Sequence, residues 1–242
     1  MADTFYNKME LSSTSSVVES SVFVVGVVQQ PLVLCAFLCY AWKCQGTAPP
    51  NESTCNEGTT MLYIMRHGQT DWNLQHKLQG KTDIPLNEAG RAMAENARQK
   101  YRDIHFDVCY CSPLKRARET AEILLRGRDV PVFTDDRLAE MDFGRCEGVK
   151  YGPLFPDSPI AAAFSTPDKY VADNGAETFE SLFARTGEFL REVADPLLMQ
   201  GKDVLIVGHV TMNCSIIGQL RGIPLKDFWS VKTDNCELVR LL

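Results

Sequence analysis

The sequence predicts an α/β fold in three layers, α/β/α, around a mostly parallel central sheet. Three observations carry this. Short apolar runs at 61–65, 106–111 and 203–208 read as buried strands. Segments with helical periodicity lie between them, and that alternation favours a parallel sheet with helices packed on it. The first and last of these runs break off at His67 and His209, on the carboxyl side of a strand, where open α/β sheets bind their ligands.

The 242 residues suffice for one good core with an appendage. Hydrophobic residues at 45% and charged residues at 23% place the chain in the globular class. A formal net charge of −6 argues against nucleic-acid binding by bulk electrostatics, although a local basic pocket can still hold an anion. The nine cysteines contain no Cys-x-x-Cys pair. They read as free, mostly buried thiols of a reducing compartment rather than a zinc site or a disulfide framework. Cys109 and Cys111 alternate on a strand and share a face.

Residues 1–60 differ in texture from residues 61–242, which read as one α/β domain. Val22–Trp42 carries no charged side chain, close to the length that spans a bilayer. Gln29-Gln30-Pro31 interrupts it, and Asp3, Glu10 and Glu19 stand where a secretory signal would be basic. Three readings stay open: a single membrane anchor, an extension without catalytic consequence, or a protein that starts at Met61. Lys43 favours a cytoplasmic location for residues 61–242 in the first case, and membrane contact is expected through 22–42 only.

In the domain, Met61–Met65 is the first strand. The turn Arg66-His67-Gly68 follows, then a polar loop containing Thr70, Asn73, Gln79 and Gly80. Asn87 caps a helix over 88–101, with Ala89, Met93, Ala97 and Tyr101 as its buried stripe. Phe106–Cys111 is the second strand. Ser112 as N-cap and Pro113 at the first helical position open the next helix, with Leu114, Ala117, Ala121, Leu124 and Leu125 facing inward. Arg116 then lies in the first turn, where a cation opposes the helix dipole unless an anion is near. Val130–Thr134 is a short strand. Residues 149–173, with several prolines and little periodicity, read as an irregular insertion over the mouth of the site. Glu177–Val193 is a helix that buries Phe179, Leu182, Phe183, Thr186, Phe189, Leu190 and Val193, and Pro196 ends or bends it. The strand Asp203–Gly208 leads into a helix stopped by Gly222 and Pro224. Asn235–Leu242 is a last strand at an edge. His76 and His105 read as a loop histidine and a surface histidine.

Arg66-His67-Gly68-x-Thr70-x-x-Asn73 resembles the opening motif of the histidine phosphatase superfamily, also called phosphoglycerate-mutase-like. Further matches follow in family order: Gln79-Gly80 with Asp83-x-Pro85-Leu86, then Ser112-Pro113-Leu114-x-Arg116-Ala117. Next come Leu138-x-Glu140-x-x-Phe143-Gly144-x-x-Glu147-Gly148, and Gly175-Ala176-Glu177-Thr178, where Ala176 is an insertion. The resemblance implies the phosphoglycerate-mutase-like fold. It also implies a phosphohistidine on His67, Glu140 as general acid, His209 as the second histidine, and phosphate held by Arg66, Asn73, Gln79, Gly80 and Arg116. The short insertion at 149–173 favours the phosphatase branch over mutases, whose insertions there are longer.

The residue types suit that chemistry. Phosphoryl transfer is a matter of position and charge, and a guanidinium is always charged and offers a planar donor fork to phosphate oxygens. His67 attacks through a neutral ring nitrogen only if its other nitrogen donates to a fixed acceptor, for which a backbone carbonyl is expected. A protonated His209 would stabilise the transferring group. Glu140 would give a proton to the leaving oxygen and then take one from water. Spacing alone does not separate Glu140 from Asp142 as the acid, and Glu147 reads as structural. No cluster with metal-ligand spacing and no Gly-rich nucleotide loop occurs, so no metal and no cofactor are expected. The expected partner is a small phosphorylated metabolite. Val210 departs from the family's glycine after the second histidine, and a β-branched residue would be strained there at positive φ. Three activities fit: hydrolysis of small phosphomonoesters, a phosphoglycerate mutase, and a catalytically weak phosphate-binding module. Only Val210 and the N-terminal run support the last.

Overall fold

Alternation divides each apolar strand between two cores, and that division builds the layers. The computed structural model describes residues 60–151, 158, 160–231 and 233–242. The readings of 1–59, including the apolar run at 22–42, lie outside the described residues. The strands are β1 (Leu62–Arg66), β2 (Val108–Cys111), β3 (Val132–Thr134), β4 (Val204–Gly208) and β5 (Leu238–Arg240). They form one sheet in the order β3-β2-β4-β1-β5, parallel except for β5. Leu62, Ile64, Val108, Val204 and Ile206 point to one face, and Met65, Cys109, Cys111, Leu205 and Val207 to the other. Such two-sided burial explains why β1 and β4 read as continuous apolar runs.

Helices α1 (Asp71–Leu74), α2 (Glu88–Lys100), α3 (Lys115–Leu124), α4 (Ala161–Ser165), α5 (Phe179–Phe189), α6 (Asp195–Met199) and α7 (Val210–Arg221) complete the fold. Residues of α2 and α3 pack on one face of the sheet, and residues of α5 and α7 on the other. A third cluster, containing Leu78, Met141, Phe143, Phe179, Leu182, Cys214 and Phe228, supports the loop after β3. The five described cysteines from Cys109 onward are free and buried, with Cys109 and Cys111 on one face as their spacing predicts. Among the described residues no helix is long and apolar enough to cross a membrane.

Several elements differ from the sequence reading. Asn87 does cap α2, accepting from Gly90 N at 2.8 Å, but the buried line is Gly90, Ala94, Ala97 and Tyr101, and Ala89 is exposed. Helix α3 begins at Lys115, so Ser112 is not its N-cap and Pro113 is not its first residue. Pro196 does not end the rod that α5 begins. A π-helical turn at Leu190–Ala194 carries the chain into α6, and Pro196 sits in the first turn of α6, where its missing N–H is tolerated. The insertion contains α4, fastened by Trp229 Nε1–H to Ala163 O at 2.8 Å and by stacking of Phe164 on Trp229. Strand β5 is at the sheet edge as expected, shorter than 235–242 and antiparallel.

Candidate active site

The register of three parallel strands assembles the site. Arg66 lies opposite Gly208, and Cys111 opposite Val207. The ladder continues one residue further, with His67 N donating to Gly208 O at 2.9 Å and Ser112 N to Val207 O at 3.0 Å. His67, His209 and Ser112 therefore stand side by side at one sheet end. The two imidazole centroids are 5.1 Å apart.

His67 is 3% exposed, and its Nδ1 lies 2.6 Å from the Gly68 carbonyl oxygen. A carbonyl only accepts, so Nδ1 carries the proton and Nε2 keeps the lone pair. Burial, then the charges of Arg116 and Arg66, hold this imidazole well below its ordinary range, so the ring is neutral. The backbone around it is pinned by Gly68 N–H to Thr120 Oγ1 at 3.0 Å and by Asn235 Nδ2 to His67 O at 2.6 Å. The backbone acceptor expected for His67 is thus the next residue's carbonyl.

Arg116, in the first turn of α3, is fully buried. It donates from Nη1 to Thr82 O (2.9 Å), from Nη2 to Gly80 O (2.7 Å) and from Nε to His209 Nδ1 (3.2 Å). Burial pulls its pKa down to about 10, against the attraction of Glu140, and it stays charged at neutral pH. Arg66 donates from Nη1 to Thr233 O at 3.2 Å, while its buried Nε has no partner. Gly80 sits at φ +54, and a Cβ there would fall 1.9 Å from Glu147 Oε1. Glu147 accepts from Lys81 N and Thr82 N, both at 2.8 Å, and from the Thr82 hydroxyl, so it shapes the loop whose carbonyls receive Arg116. This accords with a structural reading of Glu147.

An arginine cannot accept, so the Arg116 bond leaves the His209 proton on Nε2, which lies 2.7 Å from Ser112 Oγ. Burial, then Arg116, His67 and Arg66, hold His209 well below its ordinary range. His209 is thus a neutral ring with both nitrogens engaged, and the positive charge that a protonated His209 would lend the transferring group is not present at rest. Val210 is the first residue of α7, and the only non-glycine residues at positive φ among those described are His76, Asn174 and Cys236. The strain that a positive φ would bring at Val210 is absent, because Val210 takes ordinary helical backbone at the start of α7.

Helix α7 has no side-chain cap of its own. Glu140 supplies one from a distant loop. Its Oε1 accepts from Met141 N (2.9 Å) and Met212 N (3.0 Å), and its Oε2 from Thr211 N (3.3 Å). Glu140 is 5% exposed, whereas Asp142 turns outward to Gly144 N and the exposed Lys81 amine. Geometry thus separates the two acids that spacing left equal. Asn73 and Gln79 both bond to Thr70 in the loop after His67. Asn73 Oδ1 accepts from Thr70 N (3.0 Å), and Gln79 Oε1 from Thr70 Oγ1 (2.9 Å). Their hydrogen bonds run to Thr70 and not to His67, Arg116 or His209. His105 pairs with Asp107 on the surface, and His76 packs on Tyr151. Sequence reasoning missed Ser112 and Asn235. The strand end before Ser112 is a signal for the first; the second has no local signal. Among the described residues no group of three or more His, Cys, Asp or Glu is arranged to hold a metal ion.

Comparison with known proteins gives the chain's family and its fold relatives. The family described as histidine phosphatase superfamily (branch 1) matches residues 62–242. The chain is 36% identical over 166 residues to an uncharacterized phosphatase, PhoE, of Bacillus subtilis, covering 67% of this chain and 78% of the relative. It is 32% identical over 170 residues to a 2,3-bisphosphoglycerate-dependent phosphoglycerate mutase of Cytophaga hutchinsonii, covering 69% and 80%. Among solved structures, Bacillus stearothermophilus YhfR superposes with a TM-score of 0.68 at 31% identity, over 75% of this chain and 90% of that one.

Proposed function

The chain belongs to the histidine phosphatase superfamily, and from this membership we propose that it hydrolyses small phosphomonoesters through a phosphohistidine on His67, without a metal. The observation that carries the reading is the neutral His67 ring, locked by Gly68 with Nε2 bearing its lone pair, beside the buried guanidinium of Arg116 and the partly buried one of Arg66. Nε2 attacks phosphorus as the bond to the leaving oxygen breaks. Arg66 and Arg116 balance the charge on the three equatorial oxygens. Arg116 spends three of its five N–H groups on Gly80 O, Thr82 O and His209, which leaves one on each Nη for phosphate oxygens.

Glu140 handles the proton. Its two oxygens have about four lone-pair directions, and three backbone N–H groups occupy three of them. The direction left on Oε2 carries the proton to the leaving alcohol. Water then attacks the phosphohistidine, gives its proton back to Glu140, and the P–N bond breaks.

A mutase would share the first step and pass the phosphoryl group to a second substrate. The short insertion at 149–173 favours water as acceptor. The test is inorganic phosphate release from a panel of phosphomonoesters with EDTA present. Release should persist under chelation and fall by about 10³-fold or more in His67→Ala. Dependence on added Mg²⁺, or full activity of His67→Ala, would sink the mechanism. Conversion of 3-phosphoglycerate to 2-phosphoglycerate without phosphate release would establish the mutase instead.

A further inference from the structure

Arg185 and Glu177 lie outside the catalytic cluster, yet they spend more hydrogen bonds on one loop than any residue of the cluster does. Arg185 is on α5. Its Nη1 donates to Arg137 O (2.6 Å) and Ala139 O (2.7 Å), and its Nη2 to Glu140 O (3.2 Å). Its Nε and Nη2 also donate to the two oxygens of Glu177, at 2.7 and 2.9 Å. These contacts account for all five N–H groups of the guanidinium. Glu177 in turn accepts from Asp142 N at 3.3 Å, and its own N–H donates to Asp142 O at 2.8 Å. The Arg185 and Glu177 side chains are only 16% and 8% exposed.

The loop from Ala139 to Phe143 belongs to no helix or strand, so its carbonyls have no ladder to pair with. Arg185 takes that place. Glu140 is then held from two sides, its backbone carbonyl by Arg185 on α5 and its carboxylate by the N-terminus of α7. We infer that Arg185, fixed by Glu177, is the positioning residue of Glu140, setting where its carboxyl meets the leaving oxygen. The inference rests on Glu140 being the general acid. Lysine cannot replace arginine here, because a single ammonium has three donors and no planar fork to span three carbonyls and a carboxylate.

Leaving-group dependence separates positioning from mere support. A general acid matters for an alkoxide, which leaves badly without a proton, and little for p-nitrophenolate, which leaves well unprotonated. The parameter to compare is kcat/KM, which stops at phosphohistidine formation, for glycerol phosphate and p-nitrophenyl phosphate. The proteins are the full chain, Glu140→Gln, Arg185→Lys and the double variant. Arg185→Lys should lose about 30- to 100-fold on the alkyl ester and less than about threefold on the aryl ester, since a displaced catalytic group costs about 10²-fold. The double variant should be no slower on the alkyl ester than Glu140→Gln alone, because both changes remove one function. Equal losses on the two esters, or additive losses in the double variant, would overturn the inference while leaving Glu140 as the acid. Equal losses on the two esters in Glu140→Gln itself would remove the acid assignment and the inference with it. Where Arg185→Lys melts below the assay temperature, Glu177→Gln, which keeps size and removes the partner charge, is judged by the same two ratios.

Discussion

Two buried histidines on neighbouring strands are fixed in opposite tautomers, and each is fixed by a partner with one role. Gly68 O can only accept, so it sets the proton of His67 on Nδ1; Arg116 Nε can only donate, so it sets the proton of His209 on Nε2. Ser112 Oγ completes the second arrangement at 2.7 Å. Ser112→Ala leaves a fully buried N–H without an acceptor, at a cost of about 1–3 kcal/mol. We expect a lower melting temperature and a kcat down about tenfold, with Ser112→Thr recovering both. A Ser112→Ala enzyme within twofold of the parent on both measures would show that the hydroxyl does not hold His209. The sequence hid this role for a physical reason. A serine before a proline satisfies the local pattern of a helix start, whereas its bond to His209 depends on β2 and β4 lying side by side, which no local pattern encodes.

Helix α2 shows what pattern-reading catches and what it loses. Its cap and length follow from Asn87 and the apolar spacing, but its rotation does not. Gly90 carries no apolar weight, yet it is the residue that faces inward. A Cβ on Gly90 would lie 2.0 Å from Gln69 O, and one on Gly68 would lie 2.5 Å from Gly90 O. The two glycines let the first turn of α2 rest directly on the backbone that follows His67. Gly90→Ala in a free helix would gain about 0.5–1 kcal/mol. Here the sign should reverse, with a loss of about 1–3 kcal/mol from overpacking against backbone that cannot swing aside. Activity should fall with it, because the displaced loop carries the Gly68 carbonyl. Chemical denaturation and phosphate release measure the two effects, and a stabilised Gly90→Ala protein would show that the contact yields. Pro196 teaches the same lesson. The missing N–H reads as a stop, but a π-helical turn before it lets the rod run on from Phe179 to Met199.

The whole molecule carries a formal charge of −6, yet its site gathers two guanidinium groups, Arg116 buried and Arg66 partly so, around neutral histidines. The strand ends that carry His67 and His209 were legible because apolar runs stop abruptly there. The charge state of His209 was not, because it depends on Arg116 arriving from another element. That charge state fixes how stability responds to pH. Both histidines fold with pKa values well below the ordinary 6.5, chiefly through burial. Below pH 6.5 the unfolded chain takes up protons that the native chain refuses, so the unfolded state binds more protons and stability falls as pH falls. Above that pH the contribution is complete. Each histidine should then cost about 1.4 kcal/mol per pH unit on the way down. Asp135 and Glu177, whose pKa values are lowered by Arg137 and Arg185, add their losses only at more acidic pH, below about 4. Denaturant unfolding between pH 7 and pH 5 should therefore show a slope approaching two protons. His209→Gln should reduce that slope to about one proton, whatever it does to absolute stability. A flat profile across this range would mean that the native site accepts protons on its histidines, and that the guanidinium groups do not keep His67 free to act as a nucleophile.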